Sequence, residues 1–403
     1  MSKQCQRVVV TGLGTISALG IGVKPFWECL SEGRSGIADL PKNWHAIRTS
    51  SGARVPAYCE EDYFSRDALP LLDRFSQFAV LAGREAIQDA GLETAALENA
   101  AAVIGTGCGG KQTDEDTYTH LYKTGKTRAH PLTIPKGMPS ASASQISIHL
   151  GITGAVFTIS SACASGAHAA IQGAIMIEAG LTDVAIVGAS DAPFTYGLLK
   201  SWEALRVLSP DTCRPFCADR GGLVLGEGAG MLVLESEQHA RSRGARIYAG
   251  LSGYGQTADA GHITRPQLKG VIRSMRGALE RAELNADQIS YINAHGTATR
   301  SNDPLESQAI HRLYGEHARK LAVSSTKSMH GHALGASSAL EQVATVLALY
   351  HQYAPPTANF TTPDPECDLD YVPNTGRSIP IQHAASHAFA FGGLNAVLVF
   401  SQH

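Results

Sequence analysis

The stretch VFTISSACASGAHAAIQG, residues 156–173, opens on four β-type residues, Val156-Phe157-Thr158-Ile159, and passes two serines to Cys163. It continues as a small-residue helix pattern: Ala164, Ala167, Ala169, Ala170, Gly173 and Ala174. A buried strand running directly into a closely packed helix is the building unit of an α/β protein. A cysteine at the junction stands at a helix N-terminus, where unpaired backbone N–H groups and the dipole favour a thiolate. The same N–H groups can hold a developing oxyanion. Ser165, Gly166 and Ala167 leave room for a substrate to approach the sulfur. A buried inert thiol is the competing reading, and the residues downstream decide between them.

The chain has 403 residues, enough for a large core and more than one domain. A net charge of −3, with 17% charged residues, excludes a surface built throughout for nucleic acid. Its 41 glycines fit tight strand-to-helix turns. No apolar run is long enough for a membrane span. The start, MSKQCQRVVV, lacks the apolar core of a signal peptide, so a cytoplasmic protein is expected. Its eight scattered cysteines are then expected as free thiols. Cys213 and Cys217 have no matching pair at zinc spacing and read as structural; no metal is expected.

Working outward, Arg7–Thr11 reads as a strand. The glycines of Gly12–Ser17 fall short of a dinucleotide fingerprint and predict a tight turn. Leu71–Ala90 has the spacing of an amphipathic helix. Gly105–Gln112 misses a phosphate-binding loop because Gln112 stands where a hydroxyl must be; a glycine turn near a ligand pocket is expected. Lys123–Pro139, polar and proline-bearing, reads as a surface loop. Gly244 divides the chain into 1–243 and 244–403. The second part repeats the grammar of the first. One strand ends at His295-Gly296, another leads into Lys327 and Gly331-His332, and Gly335–Tyr350 is a small-residue helix like that after Cys163. Two α/β halves from an internal duplication follow. Ligands of such folds collect at strand carboxyl ends, so Cys163, His295 and the Lys327/His332 loop form one candidate site.

Four segments, TISSACASGAHAAIQGA, NAHGTATRSNDPLE, SSTKSMHGHALGAS and SHAFAFGGLNAVL, resemble the motifs of condensing enzymes. The likeness is to the elongating, type II β-ketoacyl-acyl-carrier-protein synthases, and it runs nearly end to end. The resemblance implies an α/β thiolase fold: two duplicated halves in a five-layer α-β-α-β-α arrangement. It implies that Cys163 takes the acyl chain as a thioester, while His295 and His332 stabilise the enolate formed as malonyl loses CO₂. Lys327 would order the site electrostatically with Glu341, and the backbone N–H groups of Cys163 and Phe389 would form the oxyanion hole. Thr297 and Thr299 would bond the pantetheine arm, with Phe391 beside the substrate. Cys108 would lie along the acyl tunnel, its small side chain leaving the tunnel open, with Trp202 as a wall. The implied partner is an acyl carrier protein, docked on Lys123, Lys126, Arg128 and Arg206. The second partner is another copy of the chain or a chain-length-factor-like subunit. The pantetheine arm belongs to the carrier, so no cofactor is implied. The chemistry agrees: a Claisen condensation needs a soft nucleophile and neutral imidazole donors to an enolate oxygen.

Relatives separate on the same residues. A thiolase needs a second cysteine in the C-terminal glycine loop, which here reads Ala390-Phe391-Gly392-Gly393. Starter-type synthases carry Asn where this chain has His332. A non-catalytic chain-length factor, the alternative reading, lacks the cysteine that stands here at 163. Departures from the housekeeping pattern include His387, Ala388 and Ala390 for Asn, Ser and Gly, His330 for Thr, and a basic cluster reduced to Arg66. They point to a specialised polyketide, polyene or modified-lipid pathway.

Overall fold

The computed structural model describes residues 6–41, 46–125 and 127–403. Ten strands form its main sheet: β1 (Val8–Ser17), β2 (Ala101–Gly105), β3 (Val156–Ile159), β4 (Val184–Asp191), β5 (Gly228–Ser236), β6 (Ala249–Ala258), β7 (Tyr291–Asn293), β8 (Ala322–Ser324), β9 (His383–Ala390) and β10 (Leu394–Ser401). The hydrogen-bonded order is β8-β7-β9-β10-β6-β1-β5-β4-β2-β3, with a two-residue hairpin strand, Gly20–Ile21, beside β1.

Cutting that path between β6 and β1 exposes the duplication. The first half runs β3-β2-β4-β5-β1 and the second β8-β7-β9-β10-β6, the same order shifted by five strands. The strand directions repeat as well. β2 is parallel to β3 and β4, as β7 is to β8 and β9; the remaining pairs of each half are antiparallel. A short antiparallel pairing of Val8–Val10 with Ala249–Leu251 joins the halves.

Four helices complete the layers: α1 (Arg74–Ala90), α2 (Ser165–Glu178), α3 (Leu268–Arg281) and α4 (Gly335–His351). α1 covers one outer face against β1 and β5, and α3 covers the other against β6 and β10. α2 and α4 follow equivalent strands, β3 and β8, and pack on each other between the halves. α4 touches strands of both. Their contact is close because Gly166 faces Ala339: a Cβ at 166 would lie 2.8 Å from that methyl. Apolar burial follows the same plan. One core surrounds α2 and α4, and two outer cores lie under α1 and α3. These are the five layers expected.

Two local expectations are corrected. Gly12–Ser17 is not a turn; it continues β1, with a bulge between Val10 and Gly12. Its glycines admit α1, since a Cβ at Gly12 or Gly14 would fall 2.2 Å from the Ala86 carbonyl oxygen or 1.9 Å from that of Ala82. Asp89 and Glu85 on the same helix accept the strand's N–H groups of Leu13 and Thr15, at 3.0 and 2.8 Å. Lys123–Pro139 is not wholly loop: Lys123 lies in the last turn of the helix Lys111–Thr124, and Thr133–Gly137 forms another that packs on it. The glycine turn after β2 touches the starts of both central helices, Gly105 against Ser165 and Gly107 against Gly335.

Candidate active site

The layering brings three strand ends to one cleft lined by Cys163, His295 and His332. Cys163 sits between β3 and α2. The preceding Ala162 has φ +50°, a left-handed conformation rare for a residue with a side chain. Ser165 stabilises this elbow, accepting from the N–H of Ser161 at 2.9 Å and donating to the Ala162 carbonyl at 2.7 Å. The expected thiolate is corrected. Cys163 is only 8% exposed, and burial pushes its thiol up to about 11, opposed by the Lys327 ammonium and by a hydrogen bond from the Phe391 backbone. Desolvation is the largest of these influences.

His295 follows β7. Both its own N–H and that of Gly296 donate to the buried carboxylate of Glu306, each at 2.9 Å. The Lys327 ammonium donates to the His295 carbonyl at 2.6 Å and lies 3.4 Å from its Nδ1. An ammonium has no lone pair to offer, so Nδ1 accepts and the ring proton is on Nε2. His332 reaches the same state by another route: the Leu334 N–H donates to its Nδ1 at 3.1 Å, with the Ser337 hydroxyl 3.0 Å from that nitrogen. Burial, followed by the charge of Lys327, holds both imidazoles well below the usual histidine range, so they are neutral. The two rings meet edge to face, centroids 5.8 Å apart. The cleft thus holds a thiol and two neutral imidazoles whose free N–H is Nε2. That set can bind a thioester carbonyl and stabilise negative charge on its oxygen.

Lys327 pairs with Glu341 on α4, both wholly buried. Burial raises the Glu341 carboxyl to about 7 against the pull of Lys327. Thr297 and Thr299 line the cleft with their hydroxyls 2.9 Å apart. Phe389, Phe391 and Trp202 also line it, the last two stacked at 6.1 Å. Cys108 is not among the lining residues. It packs against the apolar cluster of Trp202, Leu199 and Leu334, and its thiol donates to Asp191 at 3.1 Å. Of the residues expected to dock a carrier, three are described. Arg206 lies between Leu205 and Val207 of the cleft, Arg128 lines a second depression with His120 and Lys136, and Lys123 is exposed on the nearby helix. Lys126 lies outside the described residues.

The sequence reading missed three features. Ile263–Pro266 forms a lip of the cleft, tethered by the Gly392 N–H donating to the Ile263 carbonyl at 2.7 Å. Glu306 appeared only inside the motif NDPLE, and His387 only as a departure from an asparagine; together they form a buried pair. Cys213 and Cys217 are buried free thiols, and among the described residues no group of three His, Cys, Asp or Glu could hold a metal ion. Among the same residues, no helix is long and apolar enough to cross a membrane.

Residues 5–240 match the family model for the β-ketoacyl synthase N-terminal domain, and residues 248–361 the model for its C-terminal domain. The chain is 49% identical over 401 residues to Nodulation protein E of Rhizobium leguminosarum bv. trifolii, covering 98% of this chain and 99% of that protein. It is 39% identical over 412 residues to 3-oxoacyl-[acyl-carrier-protein] synthase 2 of Staphylococcus aureus strain COL, covering 99% of each. The solved structure of the ishigamide ketosynthase/chain length factor superposes with a TM-score of 0.95 at 34% identity, over 99% of this chain and 100% of that one.

Proposed function

Because this chain belongs to the β-ketoacyl synthase family of condensing enzymes, acyltransferases with the thiolase fold, we propose roles for its cleft residues in decarboxylative Claisen condensation. Cys163 takes an acyl group from its carrier as a thioester, the thiol proton passing to the departing carrier sulfur, with the backbone N–H groups of Cys163 and Phe389 holding the oxyanion. His295 and His332 then donate from Nε2 to the thioester oxygen of malonyl-carrier protein. They stabilise the enolate as CO₂ leaves, and the enolate carbon attacks the Cys163 thioester, breaking its C–S bond to release the Cys163 sulfur and give a β-ketoacyl-carrier protein. The observation that carries this reading is the pair of occupied Nδ1 atoms, which leaves both neutral rings as Nε2–H donors beside the thiol. Lys327 and Glu341 hold His295 in that state. Thr297 and Thr299 receive the pantetheine arm, and Trp202, Cys108 and Phe391 shape the acyl path.

The carrier is an acidic acyl carrier protein. The reading that Lys123, Lys126, Arg128 and Arg206 meet it draws on charge complementarity, and among them Arg206 stands beside the cleft. A second subunit, identical or chain-length-factor-like, pairs along the sheet edge at β3. That strand ends the hydrogen-bonded path and carries an exposed Phe157. The pathway is a specialised lipid or polyketide route in the cytoplasm, a reading supported by the likeness to Nodulation protein E and by the departures at 330, 387 and 390. The test separates the two half-reactions. Intact mass follows acylation of Cys163 from a panel of acyl-carrier proteins, and released CO₂ follows decarboxylation. His295→Ala and His332→Ala should keep some acylation and lose CO₂ release by about two or more orders of magnitude. Wild-type CO₂ release from either variant would end the reading.

A further inference from the structure

We propose that His387 is a positioning residue for His295, acting through Glu306; this rests on the reading of His295 as a donor to the enolate. Glu306, His387 and the His295 backbone are buried in one network. The Glu306 carboxylate takes four donors. Oε1 accepts the His295 N–H at 2.9 Å and lies 3.1 Å from Nδ1 of His387. Oε2 accepts the Gly296 N–H at 2.9 Å and the Asn302 amide at 3.1 Å. Burial works to raise the Glu306 carboxyl, but His387 and the two backbone N–H groups hold it below the usual carboxylate range. An ionised carboxylate only accepts, so His387 donates through Nδ1.

The position of His387 gives this bond its consequence. It lies on β9 two residues before Phe389, so the two side chains leave the same face of the strand. Their rings are 5.4 Å apart, and the Phe389 ring is 5.9 Å from that of His295. One imidazole therefore ties the strand bearing Phe389 to the loop bearing His295, in register on a single carboxylate. Without the donor, Oε1 keeps only the His295 N–H, and the loop that sets the ring's approach to the malonyl oxygen loses the side-chain tie that extends the β7–β9 pairing beyond Asn293 and Ser386.

The experiment compares His387→Leu, His387→Asn and His387→Gln with wild type and His295→Ala, measuring Cys163 acylation, CO₂ release and KM for malonyl-carrier protein. Asn places its amide N–H where Nδ1 stands; Gln places it one bond farther out. His387→Leu should keep acylation and KM and lose roughly ten- to a hundredfold in kcat for CO₂ release, as for a small misplacement of a reacting group. His387→Asn should restore most of that rate and His387→Gln should not. Should the Leu variant fail to fold, the Asn and Gln pair decides. Equal rates for Asn and Gln, a Leu variant as fast as wild type, or a Leu variant whose acylation falls as far as its CO₂ release would overturn the assignment. Undiminished CO₂ release from His295→Ala would instead sink the reading of the site on which it rests.

Discussion

The ammonium of Lys327 donates to the carbonyl oxygen of His295 while pairing with Glu341 on α4, and none of the charged atoms meets solvent. One cation thereby fixes the tautomer of a histidine, lowers the affinity of both cleft imidazoles for protons and opposes the rise of the Cys163 thiol. Such an arrangement is costly to break from one side. Lys327→Met should destabilise the fold by about 3–5 kcal/mol, because it strands a buried carboxyl. Adding Glu341→Leu should recover much of that loss in urea unfolding, yet leave CO₂ release abolished. A double variant no more stable than the single one would contradict the pairing argument.

Cys163 reactivity carries its own pH signature. With the thiol pushed up to about 11, the thiolate fraction grows about tenfold per pH unit across the neutral range. The rate of Cys163 alkylation by iodoacetamide, followed by peptide mass, should climb without levelling between pH 7 and pH 9. A plateau near neutrality would show that the helix terminus outweighs burial after all.

That contrast marks what the sequence could and could not disclose. A strand, a cysteine and a small-residue helix are neighbours along the chain, so the elbow at Cys163 was legible from residues 156–173. The charge state of its thiol was not, because the thiol sits in a core shared with α4 and meets the Phe391 backbone, both far away in sequence. Strand order is similarly non-local: the repeat of β3-β2-β4-β5-β1 as β8-β7-β9-β10-β6 leaves only a faint trace in residue identity. Gly12 and Gly14 misled because glycine serves a turn and a close helix contact equally well. The bond between Glu306 and His387 spans 81 positions, and neither residue's own neighbourhood advertises the other.

His330, on the short helix Lys327–His330, supplies a pH-dependent stability term. Its Nε2 meets the Thr326 hydroxyl at 3.0 Å, and burial, reinforced by Lys327, drops it to about 3. Below the unfolded value near 6.5 the unfolded chain takes up a proton that the native ring refuses. Stability is therefore lost as the pH falls from 6.5 towards 3. Between pH 7.5 and pH 5 this one ring should account for about 2 kcal/mol of lost stability. Urea midpoints of His330→Thr should fall correspondingly less over that interval than those of wild type. Parallel pH profiles for the two proteins would exclude the term.

Chain-length selection is tested at Cys108. Its side chain packs on the cluster that includes Trp202, Leu334 and Phe391, and two of those residues, Trp202 and Phe391, also line the cleft at Cys163. An acyl chain that passes Phe391 and Trp202 approaches this cluster, and each methylene buried there contributes roughly 0.8 kcal/mol. Replacing the thiol removes one hydrogen bond from Asp191. That carboxylate keeps the Thr106 hydroxyl and the N–H groups of Gly107, residue 108 and Gly335, at 2.8–3.0 Å, so the turn should hold. Cys108→Phe then acts by bulk, with overpacking of about 1–3 kcal/mol falling on chains long enough to reach it. Condensation from a butyryl primer should remain near the wild-type rate while longer primers fail progressively. A uniform fall at every chain length, with a lowered Tm, would instead make Cys108 a core residue away from the acyl path.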